Sequence, residues 1–335
     1  MLGWQPFFAQ QISAEDLAER PPVRVTEVHR SALQVTGDGI DQSIGLVSDA
    51  TVGDWVLFDP LHPQASRLLG RKSLIKRRAP GSDRREQLIA ANIDTVFIVS
   101  SCNPDFNVAR LERYVALAFE AEITPVILLT KADLSDDVDS YVRKARAISA
   151  QVPVVTIDAR GEEPRAKLAE WCGQGQTVAF LGSSGVGKST LTNALAGNQA
   201  IETAAIREDD ARGRHTTTSR QLHVMPGGCL VLDTPGMREL QLTDAASGIG
   251  DVFADLSALA TQCRFNDCQH ETEPGCAIIK AVKAGEIDAA RLDRWRKLMA
   301  EQAFNSATLA ERKTKDKAFG KSIRGIKKHN PKRDR

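Results

Sequence analysis

The spacing of hydrophobic and polar residues changes along the chain, and the change divides it into regions. Between residues 23 and 59, short stretches alternate apolar and polar residues and are separated by turn-forming residues. Such alternation is typical of antiparallel strands, and several short strands close together favour a small β-barrel. We expect an OB-type barrel over residues 1–80, including the N-terminal segment, although other small β-domains share the pattern.

From residue 94 onward, continuous apolar runs alternate with stretches of helical spacing. The runs are "DTVFIVSS", "ITPVILLTKAD", "VPVVTIDA", "QTVAFLG" and "CLVLDTPG", and residues 108–122 carry apolar residues at helical intervals. Continuous apolar runs are typical of strands buried on both faces of a parallel sheet. The pattern predicts a multidomain α/β protein, with a mostly parallel sheet over 81–243 and a helical domain over 244–312.

The chain has 335 residues and a formal net charge of only +1, but its charge is segregated. Residues 313–335 hold ten Lys or Arg against two Asp, and residues 71–86 hold seven Lys or Arg against Asp83 and Glu86. Basic segments of this kind favour contact with nucleic acid over a merely solvated end. An OB-type barrel beside such a cluster supports the same partner, and residues 313–335 are predicted to be a basic tail.

The apolar runs are all shorter than the roughly 20 residues needed to cross a bilayer, and the N-terminus lacks the features of a signal peptide. We therefore expect a cytoplasmic protein that has no membrane partner. We also expect it to be a monomer. Thiols stay reduced in the cytosol, so the six cysteines indicate packing or metal binding. Cys102, Cys172 and Cys229 lie in or near apolar segments, which favours core positions.

A phosphate-binding loop stands between an apolar strand and a helix-forming run. The segment "TVAFLGSSGVGKSTLTNALAG" contains the Walker A pattern G-x-x-x-x-G-K-S in the required strand-loop-helix context. In such a loop, backbone N–H groups surround the phosphates, the lysine adds positive charge, and the hydroxyl binds Mg²⁺. The predicted nucleotide-binding residues are Gly182, Ser183, Ser184, Gly185, Val186, Gly187, Lys188, Ser189 and Thr190.

The segment "TKAD" at residues 130–133 predicts guanine recognition. It resembles the Asn-Lys-x-Asp motif of GTPases and ends an apolar strand; Thr130 replaces the usual Asn, and Ala132 is the variable position. The carboxylate of Asp133 can accept from guanine N1–H and the 2-amino group, donors that adenine lacks. The stem of Lys131 can cover one face of the base. The motif therefore disfavours an ATPase or a kinase.

Further GTPase motifs are present, but in an unusual order. "DTPG" supplies Asp233, which can hold Mg²⁺, and Gly236, whose N–H can sense the γ-phosphate. Before it, one of the threonines at 216–218 is expected on Mg²⁺, and we take Thr217 for this role. The small-residue base loop corresponds to "TIDARG" at 156–161. Because the guanine motif precedes the phosphate loop, the sequence predicts a circularly permuted P-loop GTPase domain.

A cluster of cysteines and one histidine predicts a structural zinc site. "CRFNDCQHETEPGC" supplies Cys263, Cys268, His270 and Cys276 with the spacing C-x4-C-x-H-x5-C. Three thiolates and one imidazole suit a closed tetrahedral Zn²⁺ site, which leaves no open position for catalysis. The alternative is a set of buried cysteines beside a surface histidine.

Taken in order, the barrel pattern, the permuted motifs and the cysteine-histidine module resemble the RsgA family of ribosome small-subunit-dependent GTPases. The resemblance extends from about residue 23 to 300, through "VGDWV", "TKADL", "GSSGVGKSTLTNAL", "GRHTTTSR", "LDTPGMREL" and "CRFNDCQHETEPGCA". It implies a late maturation factor that binds the small ribosomal subunit and its rRNA near the decoding region and hydrolyses GTP to GDP there. Some members begin with a basic extension, whereas this sequence begins almost at the barrel. We therefore expect residues 71–86 and the tail to carry more of the RNA contact.

Hydrolysis of GTP needs a group that orients the attacking water, and many GTPases use a glutamine directly after D-x-x-G. Met237 stands at that position, and a thioether cannot orient water. His215, which precedes the threonines and titrates near neutral pH, is the predicted water-positioning residue or base. An RNA-facing or solvated loop histidine is the alternative. The predicted catalytic residues are His215, Lys188 and Thr217, and the predicted Mg²⁺ ligands are Ser189, Thr217 and Asp233.

Two other functions fit parts of the sequence. One is an RNA-binding scaffold in which bound GTP or GDP only controls affinity and turnover is incidental. The other is a permuted GTPase that acts on the large ribosomal subunit, because basic charge does not distinguish ribosomal RNAs. The motif set together with the zinc module favours the small subunit.

Overall fold

Two small helices and a group of short strands form the N-terminal part. The computed structural model describes residues 2–78, 86–161, 163–197, 220–233 and 245–306. The first helices are α1 (Pro6–Ala9) and α2 (Ala14–Glu19). The strands are β1 (Pro22–Val28), β2 (Ala32–Gly37), β3 (Ile40–Gly45), β4 (Trp55–Leu57) and β5 (Arg67–Leu68), with a 3-10 turn at Pro63–Ala65. A separate hairpin follows, made of β6 (Leu74–Arg78) and β7 (Glu86–Ala91).

Strands and helices then alternate, as the apolar runs predict. The strands are β8 (Thr95–Ser101), β9 (Thr124–Thr130), β10 (Val154–Thr156), β11 (Thr177–Leu181), β12 (Gln221–Val224) and β13 (Leu230–Asp233). The helices between them are α3 (Val108–Glu120), α4 (Val138–Arg146), α5 (Glu163–Lys167) and α6 (Lys188–Ala196), with a 3-10 turn at Ala132–Leu134. The C-terminal helices are α7 (Ala246–Val252), α8 (Ala254–Ala260), α9 (Ala277–Lys283) and α10 (Ala289–Ser306).

One long sheet joins these regions, with the strand order β10-β9-β8-β11-β13-β12-β1-β2-β3. The pairs from β10 to β13 are parallel, and the pairs from β13 to β3 are antiparallel. Parallel strands have their carboxyl ends at the same edge, where ligands of open α/β sheets bind. The ends of β9 and β11 therefore lie on either side of β8 at one edge.

Helices cover both faces of the parallel strands. Every residue of β8 is buried, and successive side chains of a strand point to opposite faces. Val96 and Ile98 pack in the apolar cluster that includes α3, whereas Phe97 and Val99 pack in the cluster that includes α6. This two-sided burial explains why the strand is a continuous apolar run, and the predicted parallel α/β region is present.

The predicted OB-type barrel is not seen in the described residues. β1 pairs with β2 along one edge; its other edge pairs with β4 and then, through Glu27 and Gln221, with β12. Within the described ranges β3 pairs with β2 alone and β5 with β4 alone, so the strands form an open arrangement continuous with the parallel sheet. Alternation along a strand specifies its buried face but not the strand beside its edge. The sequence therefore predicted strands correctly and did not predict their partner.

A buried arginine attaches the N-terminal strands to the rest of the chain. Arg24 of β1 is 1% exposed and donates to the carbonyl oxygens of Leu2, Gly53 and Asn92, the last of which precedes β8. Burial lowers the pKa of its guanidinium to about 10. The predicted domain limits at 80, 243 and 312 fall outside the described residues and stay predictions.

Two of the C-terminal helices, α7 and α10, contact α3 directly. Glu112 is fully buried, and one of its oxygens accepts from Nε of Arg294 at 2.8 Å. Nη1 of Arg291 lies 3.6 Å from the other oxygen, so both arginines of α10 face the same carboxylate. Gly248 of α7 is so close to α3 that a Cβ atom there would stand 2.0 Å from the carbonyl oxygen of Ala116. Only glycine fits this contact.

Candidate nucleotide site and metal centre

The phosphate loop connects β11 to α6 at the carboxyl edge of the sheet. Gly182, the first residue after β11, has φ +153°, and a Cβ atom on it would lie 2.4 Å from the carbonyl oxygen of Val99. Gly187 has φ +100° and is the N-cap of α6. The Nζ of Lys188 donates to the carbonyl oxygens of Gly182 at 2.9 Å and Ser183 at 2.5 Å. A helix N-terminus and an ammonium group therefore meet at one loop, which is an arrangement suited to phosphate.

The guanine motif contacts the phosphate loop directly. Thr130, the last residue of β9, is fully buried, and its hydroxyl donates to the carbonyl oxygen of Val186 at 2.7 Å. Lys131 follows in a left-handed conformation with φ +57°, which is uncommon for a residue other than glycine and concentrates at functional sites. The contact brings together two motifs that are far apart in the sequence, across the intervening strand β8.

Asp133 lies in the 3-10 turn after β9, and a second loop reaches its carboxylate. Nη2 of Arg160 donates to Oδ2 of Asp133 at 2.7 Å, and Nε of the same arginine donates to Oδ1 of Asp158 at 3.1 Å. Asp158 and Arg160 both belong to the predicted base loop at 156–161. A Cβ atom on Gly187 would lie 3.5 Å from the side chain of Ala159, so this loop also borders the phosphate loop.

Two arginines at the site were not identified from the sequence. Arg160 lies in the base loop that the motifs located, but nothing in its spacing predicts that it contacts Asp133. Arg110 lies on α3, and its guanidinium donates to the hydroxyl of Ser183 in the phosphate loop. Because no GTPase motif covers α3, only the folded arrangement reveals this contact.

Several predicted site residues lie outside the described residues. They are His215, the threonines at 216–218, Gly236 and Met237. Asp233 ends β13, which pairs with β11 in parallel, so its backbone lies in the strand next to the phosphate loop. The roles of these residues in hydrolysis and Mg²⁺ binding stay predictions.

The predicted zinc ligands converge between α8 and α9. The donor atoms of Cys263, Cys268, His270 and Cys276 all lie within 4.8 Å of one another. Nδ1 of His270 is 3.5 Å from the sulfur of Cys263 and 3.5 Å from that of Cys276, and the two sulfurs are 3.9 Å apart. Tetrahedral Zn²⁺ with ordinary bond lengths gives S–N and S–S separations of about 3.6 and 3.8 Å. The donor set therefore fits one tetrahedral ion.

Cys263 and His270 lie in surroundings that favour the protonation states a metal needs, whereas burial and the neighbouring thiols raise the pKa of Cys268 to about 11. Burial acts to raise the pKa of Cys263, but backbone N–H groups of Ala277 and Ile278 donate to its sulfur, and the net pKa is lowered. Burial lowers the pKa of His270, which keeps the imidazole neutral. Metal ligands must be deprotonated thiolates and neutral imidazoles. The ring of His270 also packs against Trp295 of α10, with centroids 5.4 Å apart.

Comparison with known proteins identifies the family. A sequence model described as RsgA GTPase matches residues 68–243, which include the guanine motif, the phosphate loop and the D-x-x-G motif. The chain belongs to the RsgA GTPase family. A relative from Vibrio parahaemolyticus, named small ribosomal subunit biogenesis GTPase RsgA 2, is 49% identical over 335 residues, which cover 99% of this chain and 93% of the relative.

Solved structures support the same fold. The crystal structure of YjeQ from Thermotoga maritima is similar with a TM-score of 0.63 at 27% sequence identity, covering 84% of this chain and 98% of that one. YloQ, described as a circularly permuted GTPase, is similar with a TM-score of 0.56 at 24% identity, covering 86% and 97%. The circularly permuted GTPase fold predicted from motif order is thereby confirmed for this RsgA family member. In the described part of the chain, no helix is long and apolar enough to cross a membrane.

Proposed function

We propose that this protein is a GTPase that acts in the biogenesis of the small ribosomal subunit. Its membership of the RsgA GTPase family and the name of its relative from Vibrio parahaemolyticus support this function. The observation that carries the proposal is the hydrogen bond from Thr130 to Val186, because it joins the guanine motif to the phosphate loop. A site built from these two motifs fits a guanine nucleotide rather than an adenine nucleotide.

The residues of this edge suit GTP or GDP with Mg²⁺. Backbone N–H groups of the loop and Lys188 would hold the phosphates, and Asp133 would accept from guanine. Ser189, Thr217 and Asp233 would hold Mg²⁺, which when bound neutralises charge on the phosphates. The glycine conformations of the loop, which leave no room for side chains at Gly182, support this assignment.

Within the hydrolytic step, His215 would orient the attacking water, because Met237 provides no polar group at the usual glutamine position. Lys188 would stabilise the charge that develops on the phosphates. Thr217 would contribute to hydrolysis as a ligand of Mg²⁺. A His215→Ala variant that retains full subunit-stimulated turnover would remove this role.

Ribosomal RNA of the small subunit is the proposed partner. Basic residues are concentrated at 71–86 and 313–335, and clustered Lys and Arg bind phosphate backbones. The cysteine-histidine cluster would hold one Zn²⁺ in a structural role, because four protein ligands leave no open position. We also propose that the protein is cytoplasmic and monomeric, which is consistent with these partners.

The experiment that tests this function measures GTP hydrolysis by the purified protein alone, with small ribosomal subunits and with large subunits, at matched salt. We expect strong stimulation by small subunits only, and competition by GDP but not by ADP. Stimulation by large subunits instead would change the partner. Stimulation by neither would favour an RNA-binding scaffold in which the nucleotide only controls affinity.

A further inference from the structure

Arg160 links two carboxylates at the base end of the nucleotide site. Its Nη2 donates to Oδ2 of Asp133 at 2.7 Å and lies 3.3 Å from Oδ2 of Asp158, while its Nε donates to Oδ1 of Asp158 at 3.1 Å. The backbone N–H of Arg160 also donates to Oδ1 of Asp158 at 3.0 Å. The guanidinium is thus held by its own loop and extended from there to the guanine motif.

The contact leaves Asp133 able to recognise a base. An ionised carboxylate has two oxygens and about four lone-pair sites. Guanine presents two donors to this residue, and Arg160 occupies one site on one oxygen. An arginine contact and a bound guanine are therefore compatible on the same carboxylate.

The positive charge of Arg160 lies between two negatively charged side chains. Asp133 and Asp158 are both carboxylates at the same end of the site, and without a cation between them they would repel. The hydrogen bond from Arg160 lowers the pKa of Asp158, because the guanidinium favours the ionised carboxylate. A small polar residue at 158 would not need this counterion. With an aspartate at 158, Arg160 supplies the positive charge between the two carboxylates.

We propose that Arg160 is a positioning residue for guanine recognition, which neutralises Asp158 and orients the carboxylate of Asp133 toward the base. This inference rests on the proposed GTPase function and adds a specificity role that the GTPase motifs do not contain. The side chains of Arg160 and Asp133 are 69% and 40% exposed. Solvent screens such a pair, so its effect is modest.

The test is equilibrium binding of GDP and of inosine diphosphate, which lacks the 2-amino group, to the full chain at low ionic strength. For Arg160→Ala we expect Kd for GDP to rise about fivefold and Kd for inosine diphosphate to rise less, about twofold. Arg160→Lys keeps the charge but not the planar guanidinium, so its Kd for GDP should lie between those of Arg160→Ala and the wild type.

Controls separate this inference from the function it rests on. Arg146→Ala removes an exposed arginine from α4 and should leave both dissociation constants unchanged. If Arg160→Ala changes both ligands by the same factor, leaves them unchanged, or tightens GDP, the positioning role is overturned. If the wild type itself does not prefer GDP to ADP, the proposed function fails instead.

Discussion

The hydroxyl of Thr130 joins the guanine motif to the phosphate loop, and Thr130→Val removes it with little change of shape. Thr130 is fully buried, and its hydroxyl donates to Val186 O at 2.7 Å, with Ser100 O farther away at 3.3 Å. A hydroxyl has one proton to donate, so the shorter contact is the one that the valine would lose.

The expected loss of unfolding free energy follows from the burial of this hydrogen bond. A net intramolecular hydrogen bond contributes about 0.5–1.5 kcal/mol, and a buried polar group that loses its partner costs about 1–3 kcal/mol. We expect Thr130→Val to lower the free energy of unfolding by about 1–2 kcal/mol. Because the bond also sets the position of the phosphate loop, we expect Kd for GDP to rise about fivefold, which corresponds to about 1 kcal/mol.

Urea unfolding and equilibrium GDP binding measure the two effects separately. Thr130→Ser is the matched control, because it keeps the hydroxyl and loses only the methyl group. A Cβ atom added to Gly187 would lie 3.8 Å from that methyl group. Its GDP affinity should stay within about twofold of the wild type. If the valine variant binds GDP as tightly as the serine variant, the hydrogen bond does not position the loop and the reasoning is refuted.

Three further changes test the packing and the metal centre. Glu112→Gln places an amide between two arginines, so we expect unfolding free energy to fall by about 2–3 kcal/mol; urea unfolding like that of the exposed control Glu170→Gln would contradict this. Cys268→Ser removes a thiolate ligand, and we expect less than one bound Zn²⁺ per chain and a lower Tm; if a chelator lowers the Tm of this variant as much as that of the wild type, the ligand assignment is wrong. Arg24→Leu removes the arginine donor from the carbonyls of Leu2 and Asn92, whereas the carbonyl of Gly53 keeps the Asn92 side-chain amide; the change should cost about 2–4 kcal/mol, with an unchanged Tm as the opposing result.

Features that depend on one short segment were predictable from the sequence. The phosphate loop needs a strand, glycines and a lysine in one continuous run, and β11, the loop and α6 provide them. The metal cluster depends on four residues within 263–276, and local chain geometry brings their donor atoms together. In both cases the spacing in the sequence already contains most of the spatial constraint.

Contacts between distant segments were not predictable in this way. Arg160 in the base loop reaches Asp133, and Arg110 on α3 reaches Ser183, only because the sheet places these segments beside each other. The edge of β1 likewise pairs with β12 rather than closing a barrel, although its own alternation is that of any half-buried strand. Such partners depend on strand order, which periodicity does not determine.

Strand order also explains why permutation preserves the site and what it changes. β9 and β11 flank β8 whichever connection is cut, so the guanine motif and the phosphate loop remain neighbours. Permutation changes which element follows β13 in the chain. Here β13 ends at residue 233, and the next described helix, α7, begins at residue 246 and packs on α3. Glu112 holds α10 against the same helix. Because His270 of the metal centre packs on Trp295 of α10, the metal centre is connected to α3 through α10, and Arg110 of α3 contacts the phosphate loop.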